Sequence, residues 1–193
     1  MVKIDLETFE ILKDTSFLLK KKQLTGAIVQ LLAATELKLK VIWSECSLPV
    51  HIKRTGKISK GESYQDLPYF MLDFPREFSK SDTFAFRTMI WWGNEISFTL
   101  HLSGKFKNAF QEKLENNIQT FSTYFLCVNK SPWEYHFKED NYQKIEHLSS
   151  TRIKELCSND FIKISNKISL DQLVNLPTEA SITFRNFLSL LID

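Results

Sequence analysis

Residues 84–104, FAFRTMIWWGNEISFTLHLSG, constrain the fold more than any other part of the chain. Two runs of about nine residues alternate by twos on either side of Gly93-Asn94-Glu95. Period two places successive side chains on opposite faces of a strand, so the stretch reads as an antiparallel hairpin. Register then decides which residues share a face. A two-residue turn at Gly93-Asn94 pairs Arg87 with Leu100 and puts the arginine in an apolar row. A three-residue turn, Gly93-Asn94-Glu95, pairs Trp92 with Ile96, Ile90 with Phe98, Thr88 with Leu100 and Phe86 with Leu102. That register gives one nearly apolar face and is preferred, with Asn94 as the non-glycine residue suited to a left-handed conformation.

The opposite face then carries Ala85, Arg87, Met89 and Trp91 across from Ser103, His101, Thr99 and Ser97. In YFMLDF (69–74), Phe70, Leu72 and Phe74 alternate with Tyr69, Met71 and Asp73, and Pro75 is expected to stop the strand. If it pairs beside the hairpin, Asp73 joins Arg87 and His101. The candidate ligand-binding residues are therefore Arg87, His101, Trp91, Asp73 and Thr99. Tyr64, from KGESYQDLPY (60–69), expected as a loop bordering that face, and Arg76 complete the set. Arginine offers a bidentate donor to carboxylate or phosphate, histidine titrates near neutral pH, and tryptophan offers a flat wall. His101 oriented by Asp73 is the candidate catalytic pair. The same row is also what the wet face of a half-exposed sheet carries.

Elsewhere the pattern alternates between helix and strand. Residues 5–22 have helical spacing, and a second helix is expected from Thr25 through AIVQLLAATE. ELKLKVIW (36–43) fits either a strand or a continued helix, and Pro49 closes this part. Lys57–Ser59 reads as a short strand. Phe106, Phe110, Leu114, Ile118 and Phe121 predict an amphipathic helix over 105–121. TYFLCV (123–128), WEYHF (133–137) and DFIKIS (160–165) read as strands. SSTRIKEL starts a short helix. Ser169 and Gln172 have capping-box spacing for another, which Pro177 interrupts before a last helix with Ile182, Leu188 and Leu191 on its buried side.

The expected fold is a single α+β domain, with an antiparallel meander of about five or six strands and helices on its apolar face. Within it, residues 1–48 are mainly helical and 57–137 hold the sheet with the crossing helix 105–121. Residues 150–193 supply terminal helices and the strand 160–165. Sixteen Phe against five Gly and five Pro in 193 residues imply long elements around a bulky core.

Several function classes find no support. MVKIDLETFEILKD lacks the apolar core of a signal peptide, and no apolar run would cross a bilayer. Cys46, Cys127 and Cys157 are too far apart for a zinc knuckle or disulfide framework, which points to a cytoplasmic protein with reduced thiols. The histidines at 51, 101, 136 and 147 show no metal-ligand spacing, and no glycine-rich phosphate loop exists, so neither metal nor cofactor is implied. Basic residues concentrate in Lys20-Lys21-Lys22 and in HIKRTGKISKG (51–61), and an interaction or nucleic-acid-binding module using 51–61 is the alternative reading; helix 105–121 has no basic face, so nucleic acid is not the expected partner. A small molecule or anion is, with the oligomeric state left open.

Overall fold

The computed structural model describes residues 5–48 and 50–192; Pro49, expected to close the helical part, lies outside them. Two helices open the chain, α1 (Leu6–Lys13) and α2 (Thr15–Glu45). They divide at Asp14 rather than near Thr25, where the Asp14 carboxylate accepts from the Phe17 backbone N–H at 2.9 Å and caps α2. The ambiguous stretch 36–43 is helix. Ile28, Leu32, Thr35, Leu39 and Ile42 form one buried stripe at spacings of four and three, and the apparent alternation dissolves because Leu37 and Val41 face solvent.

Strands β1 (Lys57–Tyr64), β2 (Leu67–Phe78), β3 (Thr83–Trp91) and β4 (Glu95–Ser103) follow as a meander. The chain then crosses through α3 (Gly104–Asn117) and a 3-10 turn (Ile118–Phe121). It continues as β5 (Phe125–Cys127), β6 (Tyr142–Lys144), α4 (Ser150–Cys157), β7 (Phe161–Ser169) and α5 (Leu176–Ser189). The strands make one sheet, ordered β1-β2-β3-β4-β7-β5-β6, with every pairing antiparallel. The α+β class thus holds, with seven strands where five or six were expected.

Four local expectations are corrected. The stretch 60–69 is the β1–β2 hairpin and not a loop, its turn made by Gln65 and Asp66 at positive φ. β2 does not end at Pro75. A bulge lies between Asp73 and Arg76, which face Arg87 and Ala85 on β3, and no β1 residue pairs beyond Asp73. Proline is tolerated in a strand at such a place. Pro177 sits in the first turn of α5, where a missing N–H breaks no helical bond. Finally, Ile182 is exposed while Ala180, Thr183, Phe184, Phe187 and Leu188 form the buried side of α5.

The central hairpin uses neither expected register. Ile90 faces Ile96, Thr88 faces Phe98, Phe86 faces Leu100 and Phe84 faces Leu102. The turn is Trp92-Gly93-Asn94, closed by the Asn94 N–H on the Trp91 carbonyl at 3.1 Å. Gly93, at φ 72°, takes the left-handed position assigned above to Asn94, which a residue without Cβ adopts at least cost. The slip from the preferred register is two residues in the pairing, so every side chain keeps its face and changes its neighbour.

α2, α3, α4 and α5 all cover the apolar face. Its centre is aromatic: Phe86 meets Phe184 at 4.7 Å between ring centroids, Trp43 meets Phe84 at 5.9 Å, and Phe84 meets Phe106 at 5.7 Å. α3 leaves β4 through Gly104 at φ 55°, where an added Cβ would lie 2.6 Å from the Ser81 carbonyl oxygen. Gly104→Ala is expected to cost about 1–3 kcal/mol, from backbone strain and overlap together. A urea melt checks this, and an unchanged midpoint would show that the β4–α3 junction relaxes freely. No helix among the described residues is long and apolar enough to cross a membrane.

Candidate functional site

The opposite face of the sheet is covered not by helices but by the irregular segment 128–141, which runs from β5 to β6. This segment includes WEYHF, expected as a strand. It is not one, because side chains take its backbone groups. The Tyr64 hydroxyl accepts from the N–H groups of Tyr135 at 2.7 Å and His136 at 3.1 Å and donates to the Glu134 carboxylate at 3.0 Å. The Glu134 carbonyl accepts from the Lys163 ammonium at 2.6 Å. Asn141, fully buried, donates to the His136 carbonyl at 2.6 Å. With its polar backbone groups occupied this way, the segment has no call for a strand neighbour.

Beneath this roof Asp73, Arg87, Thr99, His101, Lys163 and Ser165 project from neighbouring strands. Arg87 donates through Nε and Nη2 to the two Asp73 carboxylate oxygens at 2.6 and 2.8 Å, and through Nη1 to the Tyr135 hydroxyl. Burial works against its charge, but the Asp73 hydrogen bonds prevail and Arg87 stays protonated. Its fork is therefore engaged inside the molecule. Thr99 and Ser165 share a hydrogen bond of 2.8 Å.

His101 stands apart from Asp73. It lies opposite Ala85 on β3 and Lys163 on β7, between the rings of Trp133 and Phe161 at 5.8 Å each. Among the described residues no hydrogen bond or ion pair joins it to Asp73, so the expected catalytic pair is not brought together. Burial, reinforced by Lys163 and Arg87, pushes His101 down to about 3. It is neutral at physiological pH, unlike a histidine poised for proton transfer. Arg76 reaches this face through the bulge and rests over the Phe78 ring at 5.5 Å.

Lys163 is the residue that sequence reasoning missed. It is wholly buried, its ammonium 4.5 Å from the Tyr135 ring centroid and 5.2 Å from that of Tyr142. Burial lowers it to about 8, with Arg87 adding to the fall and Cys127 and Glu134 opposing it. Burial likewise pushes Tyr135 up to about 12 and raises Cys127 and Tyr142. The alternation of DFIKIS marked Lys163 as facing away from Ile162 and Ile164, but no local signal tells a roofed lysine from a solvated one.

The roof is open beside the β3–β4 turn. A cleft of about 400 Å³ there is lined by Trp91, Glu95, His136, Phe137, Lys138 and Lys167, with Gln65, Leu67 and Asn94 at its edge. Lys167 pairs with Glu95 at 3.0 Å and lies over the Phe137 ring at 4.6 Å. Among the described residues, Trp91 Nε1 and His136 Nδ1 are buried without hydrogen-bond partners; acids near His136 are Glu134 at 3.7 Å and Asp140 at 4.0 Å. The basic segment lines a separate cleft of about 620 Å³ with His51, Lys53 and Arg54 beside Trp43, Cys46 and Leu48. Among the described residues no three His, Cys, Asp or Glu side chains converge as metal ligands. No protein-family model matches this chain, and neither a curated protein nor a solved structure does.

Proposed function

We propose that the protein binds a small anionic molecule at the open rim of the polar sheet face, between the β3–β4 turn and the roof segment. The observation that carries this reading is the company of Trp91 and His136. Both are buried, both hold a ring nitrogen without a partner, and both line a cleft whose charged groups are Lys138, Lys167 and a single acid, Glu95. Buried polar atoms are ordinarily satisfied, and exceptions gather where a ligand or water completes the site. The cleft falls within the roughly 300–1,000 Å³ of small-molecule pockets. Ligand contact passes from Arg87 and His101, which lie engaged or covered, to Trp91 and the roof. The interior contacts, Arg87 with Asp73 and Tyr135 and Lys163 with the Glu134 carbonyl, then serve to hold the roof rigid over the sheet.

A thermal-shift panel of organic carboxylates, inorganic phosphate and nucleotides tests the proposal on wild type and on Lys138→Glu. Lys138 lines the cleft and is exposed, so the variant is expected to fold normally. An anion at a hundred times its dissociation constant stabilises wild type by about 2.7 kcal/mol, and Lys138→Glu is expected to lose that gain. A hit that shifts both proteins equally places the site elsewhere.

A further inference from the structure

The first two helical segments carry apolar surface that none of the described residues buries. α1 has no buried residue, and the buried stripe of α2 begins only at Ile28. Upstream the stripe does not stop. Phe17 and Leu24 precede Ile28 at intervals of seven and four, on the side that meets the sheet and α5 further along the helix. On α1, Leu6, Phe9 and Leu12 repeat at three. Leu6 is 81% exposed and Leu12 70%, with Phe9, Phe17 and Leu24 each above 40%. Leu18 is exposed as well, and exposed apolar side chains repeated along a helix are what a specific interface, at roughly 800 Å² per partner, buries.

Charge along this arm is segregated. Residues 5–14 hold Asp5, Glu7, Glu10 and Asp14 against Lys13, a net −3; residues 15–24 hold Lys20, Lys21 and Lys22 against no acid, a net +3. Among the described residues Lys21 pairs with Glu62, at 3.8 Å and well exposed. A parallel pair of arms would stack like charge on like. An antiparallel pair about a two-fold axis near Asp14 sets Glu7 and Glu10 of one copy opposite Lys20 and Lys22 of the other, while the apolar stripes meet. Such an interface is self-complementary, as a two-fold dimer requires. An anionic membrane surface would instead attract an arm with a net positive polar face, and this one sums to zero.

We propose that two copies of the chain associate through these arms, antiparallel, as a two-fold dimer. Sedimentation equilibrium of the full chain tests it. Wild type at tens of micromolar is expected at twice the chain mass, and Leu12→Glu/Phe17→Glu at the chain mass with a cooperative melt whose midpoint no longer depends on concentration, since neither side chain is buried in the monomer. Glu7→Lys/Glu10→Lys is expected to weaken dimerisation at least tenfold. Adding Lys20→Glu/Lys22→Glu to the same chain restores it, because the inverted arm is again complementary to itself. A dimer that survives Leu12→Glu/Phe17→Glu overturns the proposal, and so does failure of the fourfold variant to recover. A wild type that stays monomeric overturns it as well, whether or not it sediments with phosphatidylserine-containing vesicles.

Discussion

Asp73→Ala is expected to destabilise the protein by about 3–5 kcal/mol, the cost of leaving a buried charge without its partner. Arg87 and Asp73 are only 12% and 8% exposed at their side chains. The carboxylate accepts both Nε and Nη2, so its loss strands a guanidinium that cannot shed its proton. The informative companion is Asp73→Ala/Arg87→Met. Replacing a buried ion pair by apolar groups is often near neutral, so the double variant is expected to recover most of the loss. Urea melts of the two variants and wild type measure this. If the double variant is no more stable than Asp73→Ala, the stranded charge is not the cause.

His101 should give the second large effect, on the acid side. Its folded value of about 3 lies below the ordinary 6.5, so the unfolded chain takes up a proton first as the pH falls. The stability from keeping His101 neutral is complete above pH 6.5. It drains away as the pH falls towards 3, to the extent of several kcal/mol. The groups facing the imidazole give it no relief, since Lys163 and Arg87 are cationic and Trp133 and Phe161 are rings. His101→Leu has nothing to titrate there, so its stability is expected to fall less steeply between pH 6.5 and 3. Urea midpoints measured across that range decide the matter, and parallel curves for the two proteins would rule out His101 as the titrating group.

The faces of the sheet were legible in the sequence and the neighbours were not, for a physical reason visible in one turn. Alternation put Arg87, Trp91, Thr99 and His101 on one side, and the structure keeps them there. Register depended on which of two adjacent residues turned left-handed. Choosing Gly93 over Asn94 moved Arg87 from His101 to Thr99 without moving either across the sheet. Asp73 beside Arg87 followed from strand pairing alone. The roof could not be read in this way. The alternation of WEYHF promises a strand, and only Tyr64, some 70 residues earlier, and Lys163, 29 residues away from Glu134, deny it one. The same distance explains why Lys163 looked like an ordinary surface lysine. In α2, a helical period of buried residues overrode a short coincidence of alternation at 36–43.

The two covers of the sheet answer to different properties of the solvent. On one side four helices bury hydrocarbon and aromatic rings, a contribution that fades on cooling because its driving force near room temperature is entropic. On the other, a hydroxyl, an ammonium and an ion pair hold an irregular strap over a neutral imidazole, and that side yields to protons. The same strands are the floor of both. Chilling and acidification therefore weaken the two covers of one backbone, and mild doses of the two together are expected to unfold it further than either alone.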